Sequence, residues 1–284
     1  ITLTSSGGST IVQEVTTNNA GTPPLIASVI SQTLTTSGGN VFINAATDVV
    51  IGAPVTAAAN LSITAGTDTR INSQVSAVNA LQITTGGLID IQASVVGGNI
   101  LTTSADRNIG TSGKLGQTDL TSSIQIFSDG TTQMVLGGDN DPTGVFYLSN
   151  DQFSRINSGG DLSFTVATTG IGGFDLTIQD LDAIVADNVS GAQTANIGLG
   201  NSLSFNAGQS INVIGNLDLS NSDNLTSLNL VAGNDVFINA NGGLVQITNN
   251  AGNFGSVGRL TLAANNIYAM TDQAFTDITG LGVF

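Results

Sequence analysis

The sequence predicts an all-β protein, a parallel β-helix (β-solenoid) with coils of about 20 residues, from a fixed-interval repeat and from the alternation inside each repeat. Over 40–119 the units NVFINAATDVVIGAPVTAAA, NLSITAGTDTRINSQVSAVN, ALQITTGGLIDIQASVVGGN and ILTTSADRNIGTSGKLGQTD follow one another without a gap. Val41, Leu61, Leu81 and Leu101 stand 20 residues apart. Five further columns keep that step: Ile43/Ile63/Ile83/Thr103, Ala45/Ala65/Thr85/Ala105, Val49/Thr69/Ile89/Ile109, Ile51/Ile71/Ile91/Thr111 and Val55/Val75/Val95/Leu115. Of these 24 cells 20 are apolar, where a 40% hydrophobic composition supplies about ten by chance.

Within a unit the columns sit at alternate positions, which is strand periodicity with one dry face and one wet face. Ser62, Thr64, Arg70, Gln82, Thr84 and Asp90 occupy the wet parity, and Ala-Thr-Asp, Gly-Thr-Asp and Gly-Gly-Leu mark the corners. A lone unit cannot offset the entropy of ordering its backbone with five or six buried aliphatics, so units must stack, each strand bonding to its counterpart one coil away.

The rest of the chain follows in order as parts of one rod over 1–284. Residues 1–39 read as irregular coils, with Ile1-Thr-Leu3 and Ile11-Val-Gln-Glu-Val15 alternating and a corner at Pro23-Pro24. Residues 40–119 are the regular coils. Residues 120–160 read as an insertion or irregular coil that decorates the rod: Ile124 and Ile126 leave the lattice, and Gly137–Gly144 is dense in turn residues. There Ser149 or Asn150 is placed to cap a short helical turn, with Phe153 and Ile156 on its inner side. Residues 161–284 are longer coils. LSFNAGQSINV at 203, LNLVAGNDVFI at 228 and LTLAANNIYAM at 260 match LSITAGTDTRI at 61, and they stand further apart than the units of the regular region. Lengthened corners cost little, about 0.6 kcal/mol per doubling of a flexible loop. Some 11–14 coils at about 4.8 Å each make a rod about 50–70 Å long.

The net charge of −15, from 20 acidic and 5 basic residues, leaves no electrostatic footprint for nucleic acid or an anionic membrane. Asp supplies every acid except Glu14, as expected of a chain of turns rather than helices. There is no Cys or His, and no apolar run long enough to span a membrane. No signal peptide is legible ahead of Ile1, and the chain reads as a piece of something longer or a rod whose ends meet a partner.

The segments LTTSGGNVFINAATDVVIGAPV (34–55), LSITAGTDTRINSQV (61–75) and LQITTGGLIDIQASV (81–95) resemble the repetitive shafts of filamentous haemagglutinin-like bacterial adhesins. FYLSNDQFSRINSGGDLSF (146–164) is similar to the interruptions of such shafts. The resemblance implies a right-handed β-helix exported by two-partner secretion to the bacterial cell surface or the extracellular space. No secretion module of that family is recognisable at the N-terminus, and the later coils exceed the shaft norm.

Candidate chemistry is sparse. Asp48 and Asp68 share a corner in successive coils, but Leu88 and Asn108 break the column, so Asx-turn capping is the simpler account. Asp139 and Asp141 open a D-x-D-x-x-G stretch that suits Ca²⁺, although Asn150 stands where a bidentate Glu belongs. No other cofactor is expected. Asp180 and Asp182 share a strand face with Asp187 nearby, a pair available for acid–base work but more simply an exposed polar face. Many β-helices act on acidic polysaccharides; here the missing His removes the usual base, leaving only Arg and Lys. Thr64, Thr84 and Thr102 do not hold one column, which argues against an ice-binding ladder. Phe42, Phe237 and Tyr268 lie on outward parity as candidate adhesive spots.

The function expected is therefore a non-catalytic structural or adhesive shaft segment. Its partner would be a host or neighbouring-cell receptor or glycan, with no nucleic acid and no membrane insertion. The alternatives are a self-assembling extracellular filament, with copies stacked end to end, and a polysaccharide-acting β-helix enzyme.

Overall fold

In the computed structural model the regular secondary structure of the described residues is almost wholly parallel β-strand, with one short helix at Asn150–Phe153. The structure describes residues 4–5, 10–12, 28–30, 33–36, 38–117, 121, 123–138, 142–166, 173–182, 202–215, 217–219, 227–239, 247–249, 259–270 and 282–283. It divides into two compact units, Ile1–Thr121 and Ser122–Phe284. The break falls close to where the regular repeat ends.

In the first unit each repeat contributes strands to three successive faces. On the first, Val41 pairs with Leu61 and Leu61 with Leu81, while Ile43, Ile63 and Ile83 follow in register. On the second, Val49 pairs with Thr69 and Thr69 with Ile89, and Ile51, Ile71 and Ile91 do the same. On the third, Val55, Val75, Val95 and Leu115 form one column. The aliphatic side chains of all three faces are buried, and the positions between them, Val96 apart, are not. Parallel pairing places like residues over like, so a periodic sequence builds continuous apolar columns. Corners bond from repeat to repeat as well: the Gly66 amide donates to the Ala45 carbonyl at 3.1 Å and Thr67 N–H to the Thr47 carbonyl at 3.0 Å. The approach is so close that a Cβ on Gly66 would lie 1.9 Å from the Ala46 carbonyl oxygen, and only glycine fits.

The fourth repeat departs from the regular lattice. Val75 still pairs with Val95 and Ala77 with Gly97, but the register shifts between Ala77 and Ala80. Leu81 then pairs with Ile100 and Ile83 with Thr102, one position short of the regular step. On the next face Ile89 pairs with Arg107 and Ile91 with Ile109, two positions short, before Val95 and Leu115 restore it. Leu101, Thr103, Ala105 and Thr111 therefore leave the columns expected for them. Ile100, Thr102, Ser104 and Arg107 are buried instead, and Ile109 sits beside Ile91 rather than Ile89. The first slip is a β-bulge, Val78 and Asn79 lying opposite Gly98 alone, which turns the side chains of that strand to the other face; a second residue is lost at the corner, where residues 85–87 stand against 104–105, and the parity is regained.

Before residue 40 the steps are irregular, as expected. Thr10 reaches forward to pair with Val41, past the whole of the Ser28–Ile30 strand, whereas Ser28 pairs with Val49 at close to the regular spacing.

The second unit repeats the same construction with longer returns. Ile124, Leu162, Leu203, Leu228 and Leu260 form one column, every step of it longer than the regular one and no two alike. The three matching segments at 203, 228 and 260 thus stack as the sequence predicts. Met134, Leu176, Ile211, Val236 and Ile267 form a second column, and Leu181, Leu217 and Ile247 a third. The insertion adds Phe146–Leu148 beside Met134–Leu136. Ser149 caps the helix, its Oγ accepting from the Gln152 amide at 3.2 Å. Phe153 and Ile156 are buried, as their spacing predicts. Phe153 stacks on Phe164 and Phe164 on Phe205, each pair 5.7 Å between ring centroids. The second unit is thus pinned by an aromatic stack where the first is aliphatic.

Candidate functional site

Outward-facing columns are where this protein can meet anything else. In the second unit Phe237 and Tyr268 pair in register, with ring centroids 5.0 Å apart and planes inclined by 11°. Tyr268 is 42% exposed, which bears out its outward parity. Beside them Asn266 Nδ2 donates to Asp235 Oδ1 at 2.8 Å. Rings stacked from strand to strand turn their faces along the stacking direction and their edges outward. Such a pair extends a stack; it offers no flat platform for a sugar ring. Phe42, the third expected aromatic, is half-buried, pairs in register with Ser62, and forms no such stack.

The corner carboxylates of the first unit bond across repeats. Asp48 Oδ1 accepts from the Asp68 amide at 3.1 Å and from the Thr67 hydroxyl, and Asp68 Oδ1 accepts from the Leu88 amide at 2.8 Å. The expected Asx turn is therefore corrected: each carboxylate caps the corner one repeat on, not its own, because parallel stacking brings that N–H directly over it. Asn40 and Asn60 form a second such column, their Oδ1 atoms accepting from the Asn60 and Ala80 amides, each at 3.2 Å. Asp90 gathers three donors: Arg70 Nε at 3.2 Å, Gln92 Nε2 at 2.6 Å and Asn108 Nδ2 at 2.8 Å. A cleft of about 50 Å³ lies between Asp48, Asp68, Thr69, Arg70, Leu88 and Asp90. That is room for a water or two; small-molecule sites run to about 300–1,000 Å³.

Asp139, Asp141 and Asp187 lie outside the described residues. Asp180 does not share a strand face with Asp182: it occupies a turn with φ of 52°, and its carbonyl accepts from Asn150 Nδ2 at 2.9 Å. The Asp182 side chain lies outside the described residues. Among the described residues no group of three or more His, Cys, Asp or Glu could hold a metal ion. No described helix is long and apolar enough to cross a membrane. Thr64, Thr84 and Thr103 form an outward threonine column three strands deep, whereas Thr102 is buried.

Sequence reasoning missed Arg107. It is 2% exposed in the interior of the first unit, with Nη2 at 3.4 Å from Ser104 Oγ. Burial lowers its pKa well below the ordinary guanidinium range, to about 9, and neighbouring Asp106 opposes that shift. No signal in the sequence marks it, because the regular step places position 107 at the corner held by Thr47, Thr67 and Gly87.

Comparison of the chain with protein-family models, with curated proteins and with solved structures gives no match in any of the three.

Proposed function

We propose that the chain is a right-handed parallel β-helix serving as a structural or adhesive shaft segment of a bacterial cell-surface or secreted filamentous protein. One observation carries this reading. Strands on three faces pair in turn with the strand one repeat on, so the backbone hydrogen bonds run along a single direction. Pairing of this kind in the first unit supports an extensible rod rather than a pocket. Right-handedness follows the near-universal hand of parallel β crossover connections. The surface supports a mechanical role, its polar side chains being engaged in bracing corners from coil to coil. The partner is a receptor or glycan on a host or neighbouring cell, met by irregular coils.

Small-angle scattering from the purified chain tests the architecture. A rod gives a longest dimension of about 50–70 Å with a narrow, constant cross-section, whereas an isotropic particle overturns it. Antibodies raised against the chain should label fibres on intact cells or in the medium. Label confined to the cell interior would sink the surface role.

A self-assembling filament is the second reading. Ile267, in register with the fully buried Val236, is itself 50% exposed, and Tyr268 beside it is open. Among the described residues that strand, Asn266–Met270, ends its sheet, and with Ile267 and Tyr268 exposed it offers an edge on which a further copy would stack. Concentration-dependent lengthening in electron micrographs would favour it over a lone shaft.

A further inference from the structure

The observed register of the fourth repeat buries a cation. In the observed register Ile100, Thr102, Ser104, Arg107 and Ile109 face the interior. Restoring the regular step would set Leu101 beside Leu81, Thr103 beside Ile83, Ile109 beside Ile89 and Thr111 beside Ile91. That exchange replaces buried Ser104 and Arg107 by Ala105 and Thr111, and it moves Arg107 to the corner occupied by Thr47, Thr67 and Gly87 in the preceding repeats.

We propose that residues 98–113 form a register switch: one strand slips by one residue and the next by two, carrying Arg107 between the interior and the surface. Both ends of the segment are built for such a slip. At one end the Val78–Asn79 bulge stores the extra residue and leaves Val78 67% exposed. Gly98 lies so close beneath it that a Cβ would be 2.5 Å from the Asn79 carbonyl oxygen. At the other end the turn Gly110-Thr-Ser-Gly113, closed by a Gly113 N–H bond to the Gly110 carbonyl at 2.8 Å, holds the residues that the strand would take up. Bulges are the places where pairing register is least fixed, and adjacent aliphatics at Ile100 and Leu101 let either parity present an apolar residue. Leu115 pairs with Val95 on the regular step, so the slip stays inside one repeat. Expelling a charge from an apolar interior favours the slipped form, while the Asn108–Asp90 bond at 2.8 Å favours the observed one. Opposed terms of this kind make an element bistable.

The chain has no cysteine, so introduced pairs report register directly. Thr84 pairs with Thr103 in the observed register, and on the regular step it would pair with Ser104. In the full chain, Thr84→Cys/Thr103→Cys and Thr84→Cys/Ser104→Cys should each close under mild oxidation. Adding Arg107→Leu should slow the second closure at least tenfold and leave the first unchanged. A Thr84→Cys/Ser104→Cys pair that stays reduced while the other closes overturns the proposal. A local melting event is distinguished by stability: the trapped second disulfide should melt no lower than its reduced form, and a lower Tm overturns the switch. On the unmodified protein, phenylglyoxal should label Arg107 at a measurable rate, slower than exposed Arg70, while the chain stays folded. Labelling only upon global unfolding would also overturn it.

Discussion

Between Val41 and Leu115 the first unit builds its columns on a nearly constant step, whereas the second unit builds equivalent columns on steps that are longer and unequal. The strands themselves barely differ, at three to six residues in most cases. What differs is the return path. Pairing energy resides in the strands and their buried columns, and corner length enters only through the slowly growing entropy of closure. Regularity is thus a property of the corners rather than of the core. The interiors differ too. Aliphatics dominate the columns of the first unit, where the buried polar residues are small except for one arginine; the second unit carries a stack of three phenylalanines.

The largest test of this contrast strikes the shared principle. Ile63→Asp buries a carboxylate in a fully buried column and should remove more than about 4 kcal/mol, unfolding the regular repeats, whereas exposed Thr64→Asp should stay within about 0.5 kcal/mol. Urea titration followed by circular dichroism reads both; equal losses would refute the inward parity. Next comes the aromatic pin. Phe164→Ala should cost about 3–5 kcal/mol, since its ring is fully buried between Phe153 and Phe205. A loss under about 1 kcal/mol would mean that the stack is incidental.

The exceptional residue of the first unit should behave in the opposite sense. Arg107→Leu should stabilise by about 1–4 kcal/mol at neutral pH, because an apolar side chain there needs no desolvated charge. The sign of its pH dependence follows from linkage. With the folded pKa lowered to about 9, below that of an ordinary guanidinium, the unfolded chain holds more protons above pH 9, so the parent gains stability as pH rises through 9. The advantage of Arg107→Leu should therefore shrink above pH 9, and an advantage independent of pH would dissociate the effect from charge. The smallest effect concerns corners. A short flexible insertion of about four residues between Ala53 and Pro54 should cost about 1 kcal/mol or less and leave the flanking pairings intact, as the second unit's long returns imply. Hydrogen exchange of the Val49–Ile51 and Val55–Ala57 amides would check it.

Much of this was legible beforehand. The columns through Val41, Leu61 and Leu81 and through Val55, Val75, Val95 and Leu115 stand where a constant step puts them. The capped turn at Ser149 and the matches at 203, 228 and 260 were readable for the same reason: each rests on local spacing. The fourth repeat was not. Ile100 and Leu101 are equally apolar neighbours, and Ile109 satisfies either partner column, so pattern alone leaves their facing open. The corner carboxylates accept from backbone N–H groups as expected, but the donor is one repeat on: an Asx turn is local and the observed bond reaches a whole repeat along the chain.

The sequence by itself determined that this chain stacks in parallel, because only recurring alternate aliphatics can supply a continuous dry column from units too short to fold alone. Only the tertiary structure decided where that recurrence is broken. Register across the Val78–Asn79 bulge depends on what Gly98 permits one strand away, a fact about close approach in space to which composition and periodicity are blind.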